Sequence, residues 1–353
     1  MSKQTTPLVF DGHNDVLLKL YLAGGKSAAS TFLSGRDGAI DLPKAQTGGF
    51  AGGFFAVYVP SPIDADDKME EMAKPSYDLP LPDPIDWEDA LPVALAQIAI
   101  LFDLQDRGAL TVCRTAGQIR EVLAAGKMAA ILHIEGAEAI DPDLYTLEVL
   151  YQAGLRSIGP VWSRPTIFGH GVPFRYPSTP DIGDGLTDHG LRLVRRCNEL
   201  GVMIDLSHLN EAGFWDVARH STQPLVATHS NAQAICPHSR NLTDKQLAAI
   251  RESDGMVGLN FAVAFLRDDG RMLADVPLTQ MLRHLDHLID HLGEDRVGIG
   301  SDYDGAVVPK DLTSCAGLPK LIQAMAQHGY DDVLITKICH ENWLRVLEKT
   351  WGA

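Results

Sequence analysis

The sequence has no cysteine pair at C-x-x-C spacing, no long run of lysine or arginine, and no apolar stretch of membrane-spanning length. Each absence removes a class of protein. The five cysteines, Cys113, Cys197, Cys236, Cys315 and Cys339, are odd in number and widely scattered. That speaks against a disulfide framework and against a thiolate zinc site. With 30 basic against 46 acidic residues the formal net charge is −16, so nucleic acid and anionic membranes are poor partners. The most apolar stretch, Leu91 to Phe102, is broken by Pro92 and Gln97 and stops at Asp103, far short of a span. The first ten residues, MSKQTTPLVF, hold no apolar core of signal-peptide length, and a reducing, cytoplasmic setting is expected. There is no internal repeat, no G-x-S-x-G of a serine hydrolase and no H-E-x-x-H of a helix-borne zinc site.

What is present is an ordinary globular composition, 45% hydrophobic and 22% charged over 353 residues, enough for one large domain or two. Short apolar runs rich in β-branched residues predict strands near 8–13, 53–59, 128–134, 155–161, 201–206, 224–228, 255–261 and 296–301. Helical patterns lie at 88–106, 114–126, 187–200, 244–252, 276–292, 318–328 and 332–350. Continuous apolar strands alternating with helices indicate parallel βα units, whose sheet is buried on both faces. Eight such strands predict a single (β/α)8 barrel over residues 1–353, preferred to a doubly wound open sheet. Residues 60–87, rich in Pro and Asp, and 163–186, rich in Pro and Gly, read as loops inserted over the active-site face.

The polar residues of interest fall at predicted strand ends. His13 and Asp15 sit at i and i+2, Glu135 follows His133, His208 ends IDLSH, His229 lies in VATHS, and Asp302 and Asp304 lie in GIGSDYDG. In a parallel barrel these ends share one rim. Imidazole and carboxylate suit zinc and related divalent ions, and five such residues on four strands could hold two, with one carboxylate between them. A metal pair about 3.5–4 Å apart can trap a bridging hydroxide and aim it at a carbonyl or phosphoryl centre.

The stretches DGHND at 11–15, HIEGAEAI at 133–140, GLTDHG at 185–190, ELGVMIDLSH at 199–208, PLVATHSNAQAICPHSRNLTD at 224–244 and GIGSDYDG at 298–305 resemble the membrane dipeptidase (renal dipeptidase) family of binuclear zinc peptidases, in its bacterial branch. The resemblance implies a TIM-type barrel of the metallo-dependent hydrolase kind and two zinc ions. It places His13 and Asp15 on one ion, His208 and His229 on the other, and Glu135 as the catalytic bridge. It implies Arg240 as the partner of a dipeptide's carboxylate, a fork suited to that group. It implies Asp302 as proton shuttle between attacking water and leaving amine. Dipeptides with a D-residue second are the implied substrates. One position departs: the family's oxyanion-contacting histidine falls on Trp162, which can donate one hydrogen bond but cannot titrate. His170, in the adjoining loop, is the candidate to replace it, with simple solvation as the alternative.

Other readings stay open at this point. A related amide or ester hydrolase with a non-dipeptide substrate is one, and a non-catalytic metal-binding barrel is another. The oligomeric state is open between monomer and homodimer. His284, His287 and His291 in HLDHLIDHL lie at helical spacing among leucines, the pattern of a half-exposed amphipathic helix rather than a second metal site. Asp304 reads as structural, Cys236 as buried packing, and His133 as lining the site without ligating.

Overall fold

The run FAGGFFAVY at Phe50–Tyr58 is buried along nearly its whole length, as a strand covered on both faces must be. It is the second of eight barrel strands: β1 Val9–Asn14, β2 Phe50–Tyr58, β3 Ala129–Glu135, β4 Leu155–Gly159, β5 Met203–Ile204, β6 Val226–Ala227, β7 Met256–Asn260 and β8 Val297–Gly300. All eight match runs expected from the sequence. The computed structural model describes residues 7–61 and 65–352. Residues 62–64 of the first expected insertion, and residues 1–6 and 353 of the expected domain, lie outside the described residues.

The strands pair in parallel in the order β5-β4-β3-β2-β1-β8-β7-β6. Because β1 lies between β2 and β8, the two ends of the sheet are β5 and β6. They meet through a parallel bridge from Asp205 to Val226 and a bond from Leu206 N to Val226 O of 2.8 Å. The sheet therefore curls into a barrel, which removes the doubly wound alternative. Strands β5 and β6 are shorter than their apolar runs because the Asp205 side chain takes over where the ladder stops. Its Oδ1 accepts from Ser207 N at 3.0 Å and Thr228 N at 2.9 Å.

Outer helices follow the strands and bury their apolar stripes against them. The continuous helix expected over 332–350 is instead broken into Asp332–Thr336, a π-type stretch Lys337–Glu341 and Asn342–Trp351. The wide turn re-aims the last helix so that Trp343 enters the barrel floor. There it meets Phe54 at 5.1 Å and donates from Nε1 to Ile299 O at 3.0 Å. Space for the indole exists because Gly12 and Gly258 have no side chain: a Cβ on Gly12 would lie 2.4 Å from Trp343 Cζ2. Several helices escaped the sequence reading, among them Leu42–Gly48, Tyr145–Ala153 and Glu211–His220, all of which are short.

The two insertions are joined to each other. Tyr77–Asp78 from the first pairs antiparallel with Arg175–Tyr176 from the second, and Leu79 N donates to Phe174 O at 2.9 Å. Met72, Tyr77, Ala262, Ala264 and Phe265 form a small separate apolar cluster around this ribbon.

Candidate metal centre

Four strand ends bring their polar residues to one point. Glu135 Oε1 lies 3.5 Å from His13 Nε2, 3.1 Å from His208 Nε2 and 3.3 Å from His229 Nε2. His13 Nε2 is 3.4 Å from Asp15 Oδ2, and the two nitrogens of His208 and His229 approach to 3.2 Å. His13, Asp15 and Asp302 make one group of convergent ligand atoms, and Glu135, His208 and His229 another. His208 at φ 68° and Asp302 at φ 58° occupy the left-handed region, uncommon for residues with side chains. Backbone held this way at the rim turns both side chains toward the cluster.

The electrostatics suit a cation. Burial, with Arg240 and His13 adding to it, pushes His208 and His229 well below the usual imidazole range, leaving neutral rings with lone pairs to give. Burial pushes the Glu135 carboxyl well up. Burial opposes a charge on His13, yet Glu135 and Asp15 beside it raise it to about 10. Both ring nitrogens of His13 are buried without a hydrogen-bond partner. Three imidazoles aimed at one carboxylate oxygen, one of them orphaned, form a donor set that fits divalent metal.

Residues that the sequence reading passed over hold these ligands. His229 Nδ1 lies 2.8 Å from Thr228 Oγ1, which donates to Asp205 Oδ2 at 2.5 Å. The hydroxyl oxygen therefore accepts a hydrogen bond from Nδ1–H, which leaves the Nε2 lone pair free. His208 Nδ1 meets Ser163 Oγ at 2.9 Å. Only adjacency to the ligand motifs could have flagged Thr228 and Asp205. Thr228→Val keeps the shape and deletes the hydroxyl, so metal affinity is expected to fall about 10- to 100-fold, read by chelator competition. An unchanged affinity would show that the hydroxyl does not orient His229. His133 lies beneath this layer, with Nδ1 2.9 Å from Ser157 Oγ and Nε2 3.6 Å from Asp205 Oδ2. Its ring packs edge-on to His13 at 5.5 Å.

Arg240 is 4% exposed and fixed by two bonds, from Nη1 to Ser230 Oγ at 2.9 Å and from Nη2 to His229 O at 3.0 Å. Its Nε is buried without a partner. Burial lowers the guanidinium to about 10, with Asp205, Asp302 and Glu135 opposing the shift. Asp302 Oδ2 accepts from Asn260 Nδ2 at 3.0 Å. Trp162 walls this space, its ring 5.6 Å from His208, 5.1 Å from Tyr58 and 5.5 Å from Phe174. His170 sits elsewhere in its loop, half-exposed, with Nε2 3.8 Å from the exposed Asp184.

The remaining residues have other roles. Asp304 pairs with Arg36 at 2.8 Å and accepts from Ala39 N at 2.9 Å, anchoring the 36–41 segment. Burial pushes the Cys236 thiol up, and Sγ faces Ala264 O at 3.4 Å. His284 is fully buried, bonded to Ala232 N and Leu266 O, and burial lowers it to about 4. A buried pair that the sequence did not signal, Arg164 with Glu138 at 2.7 Å, ties the β4 loop to the β3 loop beside Trp162.

The family model described as "Membrane dipeptidase (Peptidase family M19)" matches residues 3–351. A crystal structure of a metallopeptidase from Rhodobacter sphaeroides, liganded with a phosphinate mimic of the dipeptide L-Ala-D-Ala, superposes with a TM-score of 0.96. It is 57% identical, over 98% of this chain and 100% of that one. An uncharacterized protein of Klebsiella pneumoniae, encoded in the pqqA 5′ region, is 48% identical over 265 residues, 74% of this chain and 98% of that protein. An amidohydrolase from Pseudomonas aeruginosa, 20% identical over 98% of this chain and 97% of its own, shares the fold with a TM-score of 0.75. Among the described residues, no helix is long and apolar enough to cross a membrane.

Proposed function

The chain belongs to the membrane dipeptidase family of metallopeptidases and is a dipeptide hydrolase; on that premise we propose that it is a two-zinc enzyme accepting dipeptides with a D-residue second. His13 and Asp15 would hold one ion and His208 and His229 the other, with Glu135 in reach of both sets. The observation that carries this is the convergence of three imidazole nitrogens within 3.5 Å of Glu135 Oε1. The stereochemical preference rests on the ligand of the Rhodobacter sphaeroides relative, a mimic of L-Ala-D-Ala. Residues 1–353 act as one catalytic domain, in a cytoplasmic setting that the five buried, unpaired thiols favour.

When bound, a pair of divalent ions supplies Lewis acidity, activating water and offsetting charge on the carbonyl oxygen. Arg240 holds the substrate's C-terminal carboxylate and so fixes the scissile bond relative to Glu135. Asp302 accepts a proton from the attacking water and returns it to the leaving amine. Trp162 and Phe174 wall the pocket and keep bulk water from it.

Elemental analysis of active protein should find two ions per chain, and a dipeptide panel should show cleavage with L- and D-residues in second position. Active protein with only trace metal would refute the reading. Arg240→Ala is expected to cost about 1.5–3 kcal/mol in kcat/KM on free dipeptides. The loss should shrink on dipeptide amides; equal losses on both would assign Arg240 another task. Trp162→Phe keeps the wall, so kcat should fall less than about tenfold, and His170→Ala should be neutral. A fall of about a hundredfold or more in either would instead mark a true oxyanion donor.

A further inference from the structure

The helix Leu278–Leu292 presents His287 and His291 one turn apart on the outer wall of the barrel, beside Asp244, the first residue of the neighbouring helix Asp244–Glu252. His287 Nε2 lies 2.8 Å and His291 Nε2 3.6 Å from the same atom, Asp244 Oδ1. The two rings stack at 4.2 Å with 26° between their planes, and both present Nε2 to that oxygen. We infer that His287, His291 and Asp244 form a separate divalent-metal site that clips these two helices together.

The distances fit. A tetrahedral zinc ion with bonds of about 2.0–2.2 Å separates its ligand atoms by about 3.3–3.5 Å. The two observed separations bracket that value, so rotations of exposed side chains bring the three atoms into place. Two histidines at i and i+4 are the helical spacing that zinc sites use, here completed by a carboxylate from the adjacent helix rather than from their own. The donor set also selects the ion. Two imidazoles and one carboxylate suit zinc, nickel or copper(II) and discriminate against calcium and magnesium, which prefer oxygen.

The side chains are 21%, 29% and 53% exposed for His287, His291 and Asp244, open enough to exchange an ion with solvent. A cavity of about 610 Å³ adjoins His291 and Asp244, lined also by Glu252, Asp290, Arg251 and Arg296, and opens the site to solvent. His284, one turn earlier, is excluded because both its nitrogens are already bonded in the core.

Asp244 is held in register by the Thr243–Gln246 capping box, four residues beyond Arg240. An ion at Asp244 therefore also restrains the end of the segment that carries the substrate-binding arginine.

The test is a calorimetric titration of zinc into holoenzyme whose catalytic centre is already loaded. Wild type is expected to take up one ion more per chain than His291→Ala or Asp244→Asn, with micromolar affinity. All three proteins should hydrolyse dipeptides at the same rate before zinc is added. Added zinc should raise the thermal midpoint of wild type above that of the variants. Because the readout is a difference between proteins, it holds whatever the number of ions at the catalytic centre. Equal uptake by wild type and His291→Ala, or no further uptake by wild type up to millimolar zinc, would reduce the cluster to a surface salt bridge and overturn the inference. Should Asp244→Asn disturb its helix, His291→Ala alone decides.

Discussion

Asp302→Asn is expected to lower kcat by about a hundred- to ten-thousandfold, with KM for free dipeptides nearly unchanged and the metal content intact. The side chain is part-buried at the rim, aimed by a left-handed backbone and steadied by the Asn260 amide. Burial, aided by the nearby Asp15, raises its carboxyl above the usual range, although His13 opposes the shift. A carboxylate with raised proton affinity takes a proton from water more readily than one in the usual range. The amide of Asn preserves the shape and the contact with Asn260 but cannot carry the proton. Single-turnover and steady-state kinetics with metal analysis on the same sample provide the check. A loss of kcat below tenfold would remove Asp302 from the proton path.

Trp343→Ala is expected to cost about 3–5 kcal/mol of stability, measured by urea unfolding. The indole is fully buried at the barrel floor, among glycines whose missing side chains make its slot. Filling that slot would require Phe54 or Met256 to shift, since the rest of its wall is strand backbone at Gly12, Gly258 and Gly298. The loss also opens the foot of a column in which Trp343 meets Phe54 at 5.1 Å, Phe54 meets His133 at 6.1 Å, and His133 meets His13 at 5.5 Å. Trp343→Phe should fall between, since it keeps most of the volume and loses the bond to Ile299 O. A penalty for alanine under about 1 kcal/mol would mean that the floor repacks freely.

The barrel was legible because parallel strands buried on both faces leave continuous apolar runs, and all eight runs became strands. The metal-ligand candidates were legible because imidazoles and carboxylates at strand ends are conspicuous against apolar neighbours. Residues that act through ordinary chemistry were not. Thr228, Ser163 and Asp205 belong to types found on any surface, and only their distances to His229 and His208 give them a role. The same holds for Asp244, which lies 43 residues from His287 in the chain. Reading the histidines of Leu278–Leu292 on their own helix could not include a partner from another. The break in the helix expected at 332–350 was hidden for a different reason. Its sequence is helical throughout, and the wide turn answers to where Trp343 must go.

The ribbon between Tyr77–Asp78 and Arg175–Tyr176 makes the roof over the metal centre a single cross-linked piece built from two distant parts of the chain. A designer who transplants one of these loops from a relative, to move the enzyme to a new substrate, would leave the other with an unmatched strand. The apolar cluster around Tyr77 and Phe265 would lose one wall as well. The transferable module is therefore the pair: both loops grafted together onto a recipient barrel, with the side chains of Trp162 and Phe174 carried along as part of the cargo.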